Sequence, residues 1–109
     1  MSGWIGVDLD GTLAEYHGWI GVEHIGPPIE PMVERVRTWL RAGVPVRIFT
    51  ARVSGQRARD ESLPAIEAWC IAVFGTVLPV TNVKDFGMIE LWDDRAVAVE
   101  HNTGRVLRW

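Results

Sequence analysis

Short apolar runs alternate with amphipathic stretches along the chain. Four such runs, each bounded by glycine, proline or polar residues, predict β-strands. They are Trp4–Val7, Val46–Phe49, Val77–Val80 and Ile89–Trp92. Apolar residues at helical spacing predict two helices, over Pro31–Ala42 and Pro64–Phe74. Because helices lie between strands, we expect right-handed crossovers and a three-layer, Rossmann-like α/β domain with a mostly parallel sheet.

The remaining segments have weaker patterns. Residues 14–28 are rich in glycine and predict a short flap over the strand ends, and the polar stretch Val53–Ser62 predicts a loop or an extra turn. Alternation over residues 97–107, around a turn at 102–104, predicts a C-terminal β-hairpin. Pro79 favours an edge position for the third strand. The hairpin together with Trp109 is a candidate surface for a homo-oligomer.

Composition narrows the class of protein. A length of 109 residues fits one domain over 1–109, and 48% hydrophobic with 23% charged residues is a globular composition. A net charge of −3 argues against a broad basic face for nucleic acid. The single cysteine, Cys70, lies in an apolar helical pattern and is expected to be a packed core thiol. Without a leader-like or membrane-spanning segment in the sequence, a cytoplasmic protein is expected.

Two carboxylates stand where the first apolar run ends. Asp8 and Asp10 follow the predicted strand, Gly11 allows a tight turn, and Thr12 adds a hydroxyl. Ligands bind beyond the carboxyl ends of strands in open α/β sheets. Close carboxylates repel unless a cation or a shared proton relieves them. The pattern therefore suggests a divalent metal beside a reactive carboxylate, and the alternative is an Asp-rich turn in which both side chains cap backbone groups.

Further polar residues occur at equivalent places. Thr50 follows the second strand, Lys84, the sole lysine, precedes the fourth, and Asp93 and Asp94 follow the fourth. In a parallel sheet the carboxyl ends of the strands share one edge, so these side chains are expected to converge on Asp8. The order of these residues along the chain is stronger evidence for a shared site than any one of them alone.

In these motifs the chain resembles the haloacid dehalogenase (HAD) superfamily of phosphatases. Asp8-Leu9-Asp10-Gly11-Thr12 matches the first motif of that family and Thr50 the second. Lys84 matches the third motif, and Asp93-Asp94 match the fourth. The resemblance covers all but about the last dozen residues and implies a single HAD-like domain.

The resemblance implies a role for each matching residue. Asp8 would be the nucleophile that forms an aspartyl-phosphate. Asp10 would start protonated and act as general acid and then base. Mg²⁺ would be held by Asp8, by the backbone carbonyl of Asp10 and by Asp93. Thr50 and Lys84 would bind the phosphoryl oxygens.

Other residues have two interpretations each. Asp94 positions Lys84 or a metal-bound water, or else only caps the backbone. Arg52 grips a second anionic group of the substrate, or else lies in a solvated loop. Three flap residues either contact a leaving group or pack against the domain. They are Tyr16, His17 and Trp19.

Neither insertion point for a cap domain has enough residues to form one, so the chain resembles capless members of the superfamily. An open site admits bulky phosphorylated substrates, or an oligomer partner closes it. The favoured function is a Mg²⁺-dependent phosphomonoesterase acting on a nucleotide or polynucleotide phosphate end. An acid at Asp10 argues against carbon–halogen cleavage. The alternatives are a receiver-like phospho-accepting domain, against which the motif order argues, and a catalytically silent binding module.

Overall fold

The structure, a computed structural model, describes residues 3–107. Four parallel strands form one sheet: β1 (Trp4–Val7), β2 (Val46–Phe49), β3 (Val80–Thr81) and β4 (Met88–Trp92). Their order across the sheet is β3-β2-β1-β4. Helix α1 (Glu30–Arg41) follows β1, and helix α2 (Gln56–Phe74) follows β2 after a 3₁₀ turn at Ala51–Val53. The predicted Rossmann-like α/β class and the bounds of β1 and β2 are confirmed. Both helices pack on the same face of the sheet, so the described residues form two layers where three were expected, because a loop rather than a helix joins β3 to β4.

The hydrophobic core lies between one face of the sheet and the two helices. Ile5 pairs in register with Val46, and Val7 pairs with Ile48, so these four side chains point to the same face. They form one buried cluster with apolar residues of both α1 and α2. Cys70 is fully buried in that cluster, and burial raises the pKa of its thiol. It is a packed core residue, as predicted.

On the opposite face, Trp4 is covered by a loop rather than by a helix. Its indole N–H donates a hydrogen bond of 2.9 Å to Asp85 in the loop that precedes β4. The Arg47 guanidinium lies 4.5 Å from the centre of the same ring. Trp4 is therefore only 2% exposed. These contacts join the start of β1 to β2 and to the loop that precedes β4.

Helix α2 begins earlier than predicted. It starts at Gln56, so the stretch Val53–Ser62, expected to be a loop or an extra turn, is helical from Gln56 onwards, and Pro64 lies inside the helix. The first turns are polar because their side chains face solvent and pair along the helix. The ion pair between Arg57 and Glu61, for example, spans 3.0 Å.

Strand β3 lies at an edge of the sheet, as Pro79 predicts. It is shorter than the predicted Val77–Val80 and shifted towards the C-terminus. The backbone carbonyl of Thr81 accepts a hydrogen bond from the N–H of Thr50, which extends the pairing by one residue. As a result, the residue that follows the carboxyl end of β3 is Asn82.

The flap and the C-terminal turn have the predicted places. An antiparallel bridge between Ala14 and Pro28 closes the base of the flap. Another between Val99 and Val106 forms a minimal C-terminal hairpin without regular strands. Trp109, predicted to join a dimer surface, lies outside the described residues. Neither α1 nor α2 is long and apolar enough to cross a lipid bilayer.

Candidate active site

An open cleft of about 820 Å³ lies beyond the carboxyl ends of the strands. The structure brings most of the predicted site residues together there. The cleft is lined by Asp8, Asp10, Thr50, Arg52, Asp93 and Asp94. The convergence follows from the parallel sheet, because each of these residues stands in the segment that directly follows β1, β2 or β4.

Three carboxylates form the acidic centre of the cleft. One carboxylate oxygen from each of Asp8, Asp93 and Asp94 lies within 4.8 Å of the others. Burial, followed by the negative charge of Asp93 and contacts with Asp94, raises the pKa of Asp8 to about 7. The cluster is thus electrostatically unfavourable by itself, and a cation would relieve it. An all-oxygen donor set of this kind suits Mg²⁺.

Thr12 joins the loop after β1 to the loop after β4. Its hydroxyl accepts a hydrogen bond of 3.0 Å from the backbone N–H of Asp94. The same hydroxyl lies 3.2 Å from a carboxylate oxygen of Asp94 and 3.4 Å from one of Asp8. The three clustered carboxylates, Asp8, Asp93 and Asp94, are called the acidic trio below. The buried Thr12 contacts both Asp8 and Asp94 and therefore sets the spacing between them.

Gly11 allows the close approach of these two loops. Its φ is +92°, in the region that favours glycine. A Cβ atom at this position would stand only 2.5 Å from a carboxylate oxygen of Asp94. Any larger residue would push Asp94 away from the cluster.

The carboxylate of Asp10 is not part of the acidic trio and binds Arg52. Nε and Nη2 of Arg52 donate to the two carboxylate oxygens at 2.7 and 2.8 Å. Arg52 also donates to the backbone carbonyls of Val22 and His24 in the flap. The Arg52 side chain is only 5% exposed. Arg52 therefore holds Asp10 and the flap together, and its predicted contact with a second anionic group of the substrate remains a prediction.

The pairing of Asp10 with Arg52 concerns the protonation state that the sequence predicts for Asp10. Both of its carboxylate oxygens accept hydrogen bonds from a guanidinium, which is the arrangement of an ionised carboxylate. The sequence-based expectation was a protonated Asp10 at the start of the reaction. A protonated Asp10 would give up part of its contact with Arg52, and the expectation stays a prediction.

Thr50 stands at the start of the 3₁₀ turn that follows β2. Its hydroxyl oxygen accepts a hydrogen bond of 3.1 Å from the backbone N–H of Arg52. Thr50 is 2% exposed, yet it lines the cleft. The cap leaves the hydroxyl hydrogen free to donate to a ligand.

Cationic residues near the cleft are arranged differently from the prediction. Lys84 is exposed and does not line the cleft, so its role as a phosphate ligand stays a prediction. The lining instead includes Asn82, which follows β3, and Arg95, which follows Asp93 and Asp94. Sequence reasoning missed both, although Asn82 satisfies the same strand-end rule that selected Thr50. Arg59, on the first turns of α2, does not line the cleft, and its guanidinium donates a hydrogen bond of 2.9 Å to the backbone carbonyl of Val80.

Two aromatic residues of the flap form one wall of the cleft. Tyr16 is 46% exposed and Trp19 is 56% exposed, and both line the cleft beside Asp10. The ring of Trp19 packs on Arg52, whose guanidinium carbon lies 4.9 Å from the ring centre. His17 does not line this cleft: it lines an adjoining recess, and its Nε2 lies 3.4 Å from a carboxylate oxygen of Glu15.

Comparisons with known proteins extend to the fold only. Neither a protein-family model nor a curated protein matches the chain. A solved structure of a conserved protein from Bacteroides thetaiotaomicron is similar, with a TM-score of 0.62 and 22% sequence identity. The match covers 89% of this chain and 79% of that protein. The similarity supports the Rossmann-like α/β architecture, and any functional argument depends on the site residues.

Proposed function

We propose that the protein is a Mg²⁺-dependent phosphomonoesterase that acts through an aspartyl-phosphate at Asp8. The observation that supports this most is the meeting, in one cleft, of an acidic trio, a separately held carboxylate at Asp10 and a buried hydroxyl at Thr50. Each group corresponds to one task in phosphoryl transfer: cation binding, proton transfer and phosphate binding.

Asp8 is the nucleophile of the first step. One of its carboxylate oxygens attacks phosphorus while the bond from phosphorus to the leaving oxygen breaks. This requires the ionised carboxylate, although burial and its acidic neighbours raise the pKa of Asp8 to about 7. Asp8, Asp93 and Asp94 are the carboxylates that would hold Mg²⁺, with the Asp10 carbonyl as the further ligand that the family resemblance implies. The ion would neutralise charge on the carboxylates and the phosphoryl group.

Asp10 transfers the protons. It protonates the leaving oxygen in the first step, and in the second it takes a proton from the water that attacks phosphorus and releases Asp8. Its pairing with Arg52 favours the second task. For the first task Asp10 takes up a proton and gives up part of its contact with Arg52. A leaving group that is stable as an anion, such as an aryl oxide, needs this proton least.

The phosphoryl oxygens are bound by Thr50 and a cation. Thr50 has a hydroxyl hydrogen to donate and is held rigidly by its cap. Arg95 is the arginine that lines the cleft without binding Asp10, and we propose that it offsets phosphate charge there. This role was expected of Lys84, which remains a second candidate because its long side chain is exposed.

The preferred substrate class is a nucleotide or polynucleotide phosphate end. Residues 3–107 contain no inserted cap domain, and only the flap of residues 14–28 stands over the cleft. The open site leaves room for a large leaving group, as such an end would require. Closure by a partner subunit remains an alternative from the sequence.

The proposal is tested by steady-state hydrolysis of an aryl phosphate with Mg²⁺ or with a chelator. Turnover is expected to need Mg²⁺ and to be lost in Asp8→Asn. The matched control is Asp60→Asn, which removes an exposed carboxylate of α2 outside the cleft. Retained turnover in Asp8→Asn would refute the mechanism. A long-lived phosphorylated Asp8 without turnover would instead support the phospho-accepting alternative.

A further inference from the structure

The flap leaves apolar side chains exposed beside the reacting groups. Trp19 is 56% exposed, Tyr16 is 46% exposed and Ile20 is 74% exposed. Apolar surface clustered at a cleft marks a binding site more often than isolated exposed residues do. This surface is next to Asp10, the residue that would face the leaving group.

Trp19 is held in place although it is exposed. The Arg52 guanidinium packs on its ring at 4.9 Å from the ring centre, and Arg52 is itself fixed by Asp10 and by two flap carbonyls. The flap is also tied to α2 by a hydrogen bond of 2.9 Å from the indole N–H of Trp69 to the carbonyl of Gly26. A preorganised aromatic surface loses little conformational entropy when a ligand stacks on it.

A second recess adjoins the main cleft at this surface. It has a volume of about 290 Å³, several times the ~30 Å³ that one water molecule occupies in the liquid. Asp10, Tyr16, Trp19 and Arg52 line both the recess and the main cleft. A ligand with its phosphate at Asp8 therefore meets aromatic side chains on the leaving-group side.

We propose that the flap selects phosphate monoesters whose leaving group carries a planar heteroaromatic ring, and that a nucleobase stacks on Trp19. This rests on the proposed phosphatase function and adds the group that the flap recognises. Trp19 is the stacking residue, and Tyr16 lines the same space. Stacking tolerates different bases, since each base has a π-face.

The matched substrates are adenosine 5′-monophosphate and ribose 5-phosphate, which share the phosphate and the sugar and differ in the base. Stacking of one base is expected to raise kcat/KM for the nucleotide about 5- to 150-fold over the sugar phosphate. In Trp19→Leu this ratio should fall to about 1 to 3, and Trp19→Phe should retain part of it. The control is Phe86→Leu, which removes a fully exposed ring that does not line either space and should keep the wild-type ratio.

A binding measurement separates this inference from the proposed chemistry. Calorimetric titration of Asp8→Asn with the same two compounds should give tighter binding of the nucleotide, and the difference should disappear when Trp19→Leu is added. Equal affinities, or a preference that survives Trp19→Leu, would overturn the stacking inference. If the nucleotide binds selectively but wild-type protein hydrolyses neither compound, the proposed phosphatase function fails and the base-binding inference stands.

Discussion

The acidic trio gives a prediction about stability that does not depend on any substrate. Without metal, the pKa of Asp8 rises from 3.8 to about 7 on folding, mainly by burial and then by the charge of Asp93. A raised carboxyl pKa means that the folded state binds the proton more tightly than the unfolded state. Its stabilising contribution is complete below pH 3.8, declines as the pH rises and is lost above about pH 7. Metal-free protein should therefore become less stable between pH 4 and pH 7.

The size of the effect follows from the shift. Each pKa unit corresponds to about 1.4 kcal/mol, so a change from 3.8 to about 7 gives at most ~4 kcal/mol. Asp8 is only half-buried, and solvent screening reduces this to about 2 kcal/mol. Asp8→Asn removes the titration, so its free energy of unfolding relative to wild type should rise by about 2 kcal/mol between pH 4 and pH 8.

The assay is urea unfolding of wild type and Asp8→Asn in the presence of a chelator, at several values of pH. Asp60→Asn controls for the change in net charge, because it removes a carboxylate from the exposed side of α2. A difference between wild type and Asp8→Asn that does not change with pH would refute the reasoning. So would a loss of stability in Asp8→Asn that grows towards pH 8.

The remaining predictions concern the contacts that hold the cleft together. Mg²⁺ at about 100 times its dissociation constant should raise the free energy of unfolding of wild type at pH 8 by about 2–3 kcal/mol. A urea-unfolding midpoint that does not change when Mg²⁺ is added would argue against a metal site. Arg52→Gln should cost about 2–4 kcal/mol, because it leaves the partly buried Asp10 carboxylate without its partner. Arg52→Lys should recover only part, since a lysine cannot bind both oxygens in the plane, and full recovery in urea unfolding would show that charge alone matters. Gly11→Ala should destabilise the fold by about 1–2 kcal/mol more than Gly18→Ala and weaken Mg²⁺ binding in a titration, because both glycines have positive φ but only Gly11 lies against Asp94. Equal effects at the two glycines would contradict the close approach.

The sequence predicts the bounds of those strands in which a short apolar run coincides with buried positions. Strands β1 and β2 are apolar runs with buried side chains, and their predicted bounds match the structure. The start of α2 was misplaced because its first turns face solvent, so no apolar periodicity marks them. Pro64 is predicted to lie near the helix start, but it lies nearly halfway along α2.

The candidate site was predictable only as far as backbone placement determines it. Asp8, Thr50 and Asp93 converge because strand ends in a parallel sheet share one edge. Arg52 was expected either to grip a second anionic group of the substrate or to lie in a solvated loop. Tertiary packing buries it and directs it to Asp10, so the solvated loop is wrong and the substrate contact stays a prediction. The third strand was predicted to end at Val80, but β3 ends at Thr81, so Asn82 is the residue that follows it.

The central claim is a covalent phosphoryl group on Asp8, and it can be measured directly. Asp10→Asn keeps the nucleophile but lacks the base that activates water, so phosphorylated protein should accumulate. The variant is mixed with an aryl phosphate and Mg²⁺, quenched in acid within seconds and analysed by mass spectrometry of its peptides. The account predicts about one equivalent of released aryl alcohol in a burst, with the phosphoryl group on the peptide that contains Asp8. Steady hydrolysis with no phosphorylated peptide, or a phosphoryl group on any other residue, would contradict it.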